Sequence, residues 1–158
     1  MEARRQDLRT SIGLLILRVG IGGYLATHGW GKFQMVLAGE FDQFGDPIGL
    51  GSGASLVLVM IAEFFCALLV VAGLGTRYAA IPPVIAMAVA AFVAHGGDPW
   101  TMSKAAELFY SGASKSWASK EPALLFLAGF LALCFTGAGR YSLDALISGR
   151  RRAGSTVR

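Results

Sequence analysis

The chain of 158 residues is 54% hydrophobic and only 15% charged, with a mean hydropathy of +0.57. That composition excludes an ordinary soluble domain and suits a chain embedded in lipid, with length for one domain and a sizeable core. Net charge is +4 with a pI near 9.4, yet the basic residues gather at the two ends and in one short turn. They form no stripe of the kind that binds nucleic acid, so no nucleic-acid partner is expected.

Residues 1–11 form a basic N-terminus with Arg4, Arg5 and Arg9. The apolar stretch behind them outruns a signal-peptide h-region and lacks an A-x-A cleavage site, so it reads as a retained first span, roughly Ile12 to Leu37. A second span runs from Ser55 to Leu74, a third from Tyr78 to about His95, and a fourth from Glu121 to Phe135. The fourth is short for about 30 Å of hydrocarbon unless Thr136 to Ala138 complete it. Pro82-Pro83 and Pro122 fall near the starts of spans three and four, where a missing N–H is tolerated.

The connections differ in character. Residues 38–54 are glycine-rich and acidic, with Glu40, Asp42 and Asp46, whereas "GLGTRY" is only a tight turn. Residues 96–120 hold Trp100, Phe109, Tyr110 and Trp117, and "TMSKAAELFY" within them suits a short interfacial helix. In the basic tail, residues 139–158, Ser142 is placed to cap a short amphipathic helix from Leu143 to Ser148.

The expected fold is therefore all-α: an integral membrane antiparallel four-helix bundle over residues 12–138. Arginines flank the termini and the tight turn (Arg77, Arg140 and Arg150 to Arg152). The second loop carries lysines alone, Lys104, Lys115 and Lys120. That asymmetry puts both termini in the cytoplasm of a multi-pass protein of the inner (plasma) membrane.

Polar groups inside spans are costly and usually have a reason. Span one carries Arg18, His28 and Lys32, which at about 100° per residue share one side of the helix. Span two carries Glu63, and His95 and Glu121 stand at the ends of spans three and four. His28, Lys32, Glu63, His95 and Glu121 are expected to converge on the outer half of the bundle as a ligand pocket. Arg18 is expected to reach Glu63 as a structural ion pair. Lys32, His95 and Glu121 equally suit headgroup-level anchors. Gly29 and Gly31 allow close approach beside His28, and Trp30 and Phe33 either flank the entrance or face lipid.

Other chemistries have less in their favour. No E-x-x-H or H-x-x-H spacing supports a metal site, and none is expected. Bis-histidine haem between His28 and His95 is geometrically conceivable but is not the expected cofactor. Cys66 and Cys134 stand alone in apolar segments as small hydrophobes, without a CxxC pair.

The motifs carry a resemblance. "LRVGIGGYLATHGWGKF", "AEFFCALLVVAGLGTRYAA", "AAFVAHG", "KEPALLFLAGFLAL" and "GAGRYSLD" together resemble the DoxX family over roughly Leu14 to Ala145. The resemblance picks out Arg18, His28, Lys32, Glu63, Arg77, His95, Glu121 and Asp144. It implies a four-helix membrane protein, similar in pattern to the small subunit of an archaeal thiosulfate:quinone oxidoreductase. It further implies membrane-linked redox and thiol homeostasis, although the missing cysteine pair argues against direct dithiol chemistry. On this reading the pocket binds a quinone or similar amphipathic molecule, and the chain works with a partner membrane or redox protein or as a homo-oligomer. The competing reading is a non-enzymatic assembly or scaffold subunit whose buried charges serve packing. A small transporter is disfavoured, because no inverted repeat is visible.

Overall fold

A computed structural model describes residues 2–155, and the side chains of residues 6–149. Arg4, Arg5 and Arg150 to Arg152 of the basic flanks therefore lie outside the described side chains. The described residues are helical or irregular, without strands. The helices are α1 (Glu2–Ala38), α2 (Ser52–Ala72), α3 (Thr76–Ala94), α4 (Met102–Tyr110), α5 (Glu121–Thr136) and α6 (Leu143–Ser155). Within them Gln6–Ala38, Ser52–Ala72 and Thr76–Ala94 are long and apolar enough to cross a membrane.

α1 continues through the basic segment without a break, and α5 ends at Thr136 on Gly137. At about 1.5 Å per residue the 16 residues of α5 reach only about 24 Å. Pro82 and Pro83 have a visible effect: α3 is interrupted at Ala80, because neither proline can donate to the turn before it. α6 is capped by Ser142, whose Oγ accepts from the Ala145 amide at 3.2 Å, and it runs past the expected end at Ser148.

α1 packs against the whole length of α2, and α5 lies along α3 and touches α1. The core between them holds Leu25, Val70, Phe130 and Leu133, all at 1% exposure or less. Small residues permit the approach: a Cβ on Gly22 would meet the Val71 side chain and the Ala67 carbonyl, and one on Gly129 would meet Ile21.

The end of the molecule bearing the termini is closed by a polar clasp. Arg18 is 1% exposed, and its guanidinium donates to the carbonyls of Val71 (2.9 Å), Val70 (3.5 Å) and Tyr141. The two valine carbonyls belong to the last turn of α2, where helix carbonyls lack intrahelical partners. Asp144 does the converse for α3, accepting from the amides of Gly75 (2.8 Å) and Thr76 (3.2 Å). Its own amide donates to Gly73 O at 2.9 Å, which draws the tail onto the turn between α2 and α3. Gly73 must be glycine, with φ at +71° and no room for a Cβ beside Arg18 and Ser142.

At the opposite end, Asp46 organises the first loop. Its carboxylate accepts from the amides of Gly51 (2.7 Å) and Leu50 (3.0 Å) and from Ser55 Oγ (2.8 Å). The Gly51 amide, then the Ser55 hydroxyl, hold its carboxyl below the usual value of 3.8. A lowered folded-state pKa means that the carboxylate favours the folded loop at pH above about 4, the ordinary carboxylate value. That contribution is lost as pH falls through the lowered value. Acid-protease cutting of loop 39–51 should accelerate as pH drops below about 4, while Asp46→Asn should be cut fast on both sides of it. A wild-type rate that tracks only the protease's own pH profile would count against this role.

Candidate functional site

α1 and α2 meet most closely at Gly29. A Cβ there would stand 2.5 Å from the Glu63 carbonyl carbon and the Phe64 nitrogen, so only glycine fits; nothing lies within 4 Å of Gly31. At this contact α2 is π-wound over Ile61–Cys66, and α3 is π-wound over Ala90–Ala94. A π-turn adds a residue to the turn, re-aims neighbouring side chains and occurs often at functional sites. Here it buries Ala62 and Glu63, and Glu63 Oε2 meets Lys32 Nζ at 2.5 Å. At the end of α3 the His95 amide donates to Ala90 O at 2.8 Å, the five-residue reach of a π-turn.

Between these two widened segments lies a cavity of about 760 Å³. His28, Lys32, Glu63 and His95 all line it, in walls otherwise mostly apolar. A volume of several hundred Å³ with few convergent polar groups is the ordinary form of a small-molecule site. His28 faces the edge of Phe126, with centroids 6.2 Å apart, and makes no hydrogen bond among the described residues. His95 Nδ1 lies 2.8 Å from Asp98 Oδ2, an arrangement that fixes the ring and leaves Nε2 as the other working atom. Ser119, on the second loop, is 6% exposed; it lines the cavity and its Oγ has no partner. Among the described residues no group of three metal-ligating side chains converges.

Four of the five expected pocket residues thus share one cavity, and the fifth does not. Glu121 turns to the second loop, where its Oε2 accepts from the Met102 amide at 2.7 Å and caps α4 together with Thr101. The first turn of α4 has unpaired amides for a carboxylate to satisfy, which the cavity lacks. The Arg18–Glu63 pair does not form either. Glu63 lies level with Gly29, eleven residues along α1 from Arg18, or about 16 Å. No arginine spans that, so each residue takes a nearer partner. Trp30 and Phe33 stay outside the cavity, clustering with Phe64 and Phe65 at centroid distances of 5.2 to 5.9 Å.

Sequence reasoning passed over Asp98, Phe126 and Ser119. Asp98 stands three residues after a histidine and was findable on that spacing. Ser119 is one of several serines in its loop, and Phe126 is one of many apolar residues on α5. Nothing local distinguishes either.

Residues 13–96, more than half of the chain, match the family model DoxX. The chain belongs to the DoxX family. The inner membrane protein YqjF of Escherichia coli (strain K12) is 28% identical over 137 residues, covering 87% of this chain and 93% of that protein. No solved structure matches significantly. With its three long apolar helices, this DoxX protein is a multi-pass protein of the inner membrane, in contact with the lipid bilayer. The DoxX match covers α1 to α3 and so includes His28, Lys32, Glu63 and His95, whereas Ser119, Glu121 and Phe126 lie beyond it.

Proposed function

We propose that this DoxX chain is a ligand-binding membrane subunit whose cavity takes a quinone or a similar amphipathic molecule, assisting membrane-linked redox and thiol homeostasis with a partner protein. The carrying observation is the cavity itself: an apolar volume of about 760 Å³ with His28 lacking a hydrogen-bond partner among the described residues and a neutralised Lys32–Glu63 pair beside it. A quinone carbonyl needs a hydrogen-bond donor in an otherwise apolar cleft, and full reduction takes up two electrons and two protons. In this reading a partner redox protein supplies the electrons. His28 and His95 relay protons taken up from the outer loops, each imidazole accepting on one ring nitrogen as it gives up a proton from the other. Ser119 Oγ offers a further hydrogen bond to a ligand oxygen.

The same reading makes α5 the fourth transmembrane helix of an antiparallel bundle with both termini in the cytoplasm, which puts the cavity in the outer half of the membrane. Arg77 and Arg140 at the terminal end support that orientation. A single cysteine introduced near Asp46, in a background without Cys66 and Cys134, should react with an impermeant reagent added to intact cells, and one near Arg77 should not. The reverse pattern would invert the topology.

His28→Ala tests the binding role. Quinone co-purified per mole of gently solubilised protein should fall several-fold with little change in the thermal midpoint, because the ring makes few packing contacts. Any coupled turnover should fall in step with the bound quinone. The second reading, a scaffold subunit, draws on the Lys32–Glu63 pair, which already satisfies its own charges. It would take the lead if His28→Ala left co-purified quinone unchanged while destabilising the fold.

A further inference from the structure

The way into the cavity can be read from the packing of α2 against α3. The two helices meet through the π-wound segment Ile61–Cys66, while Ser52–Met60 packs on α1 and on the turn Phe41–Gln43 and has no broad contact with Ile81–Val89. The helices therefore part toward the loop end, and the cavity fills the wedge. Leu58 on α2 and Ile85 on α3 both line it, and they are 53% and 59% exposed. Leu58 lies six residues inside α2 and Ile85 nine residues inside α3, about 9 Å and about 14 Å from their loop-end termini. Both positions are at hydrocarbon depth in segments apolar enough to span the membrane. Over the cavity, the loops close instead: Phe44 and Ile48 from the first and Trp117 from the second are part of its lining. The second loop is pinned by the Lys120 amide on Pro99 O (3.0 Å), by Lys120 over the Trp100 ring and by Glu121 on Met102.

We propose that the gap between Leu58 and Ile85 is a lateral portal through which the cavity exchanges its ligand with the bilayer. The inference rests on the cavity being a ligand site and narrows the ligand class. The occupant is a lipid-borne amphiphile that places its polar head beside His28 and Glu63 and leaves a long apolar chain extending between α2 and α3 into the acyl region. The polar groups are deep and the portal is apolar, so the head is drawn inward while the chain remains in a medium it already favours. A water-borne ligand would need an opening through the loops, where the pinned second loop stands.

The test uses the full chain in phosphatidylcholine–phosphatidylglycerol vesicles and does not depend on knowing the ligand. A nitroxide is attached at Ala90→Cys, a cavity-lining position, with Cys66 and Cys134 changed to serine. Oxygen, which concentrates in hydrocarbon, should relax the label strongly, and a water-soluble nickel chelate should relax it weakly. Ile85→Trp should lower the oxygen effect several-fold by blocking the gap, and Leu58→Trp should do the same from the other side. Both side chains are more than half exposed, so these variants are compatible with folding. A label reached by nickel, or one whose oxygen accessibility ignores both tryptophans, would overturn the portal. His28→Ala and co-purified quinone report separately on the ligand site, so failure of the portal and failure of the site are distinguishable.

Discussion

Replacing Gly29 with alanine is expected to lower the stability of the solubilised protein by about 3 kcal/mol, the upper end for overpacking a well-filled contact. The added methyl would stand 2.5 Å from Glu63 C and Phe64 N and 2.6 Å from Glu63 O. These are backbone atoms of the π-wound turn, so no rotamer change relieves the clash. Either α1 and α2 separate or the π-turn rewinds, and both displace Glu63 from Lys32. Gly31→Ala is the matched control, since nothing lies within 4 Å of it and alanine favours a helix by up to about 1 kcal/mol over glycine. The measurement is the thermal midpoint of each variant in one detergent. Equal behaviour of the two variants would mean that α1 and α2 are not in close contact at this level.

The second large effect is expected at Arg18. Arg18→Met removes a donor from the carbonyls of Val70, Val71 and Tyr141, and leaves the nearby Asp144 without its opposing charge. Losing one side of a buried charged cluster costs about 3–5 kcal/mol. A double-mutant cycle identifies the partner. Arg18→Met with Asp144→Asn should be non-additive by about 1 kcal/mol or more, as for groups in one network. Arg18→Met with Glu63→Gln should be additive within about 0.5 kcal/mol, because the two sites are too far apart to couple. Coupling between Arg18 and Glu63 would restore the ion pair that the structure rejects.

Much of this organisation was legible in the residues. Hydropathy locates the three long helices and the shorter α5, Ser142 announces α6, and the four-residue spacing of His28 and Lys32 puts them on one side of α1. What stayed hidden depends on depth and on helix winding. Sequence position gives the angle of a side chain around a helix, but the level at which two antiparallel helices meet depends on where each begins relative to the other. Charge alone matches Arg18 to Glu63, whereas the contact at Gly29 sets Glu63 at a different level. The π-turns have no sequence signature: "IAEFFC" and "AAFVA" read as ordinary apolar helix. Glu121 was misplaced because its partner is a backbone amide of a neighbouring helix start, a group that side-chain chemistry does not advertise.

α1 is also a measuring rod. Its 37 residues extend about 55 Å, against about 30 Å of hydrocarbon, so whole turns of rigid helix stand clear of the acyl chains. Asp7 on those turns pairs with Arg140 just beyond α5 at 3.0 Å, at the same end of the fold. A protein that docks on the exposed residues Gln6 to Thr10 therefore meets a surface set at a height above the membrane by the length of one helix. The same unbroken helix carries His28 and Lys32, so the exposed overhang and the cavity wall are parts of one element.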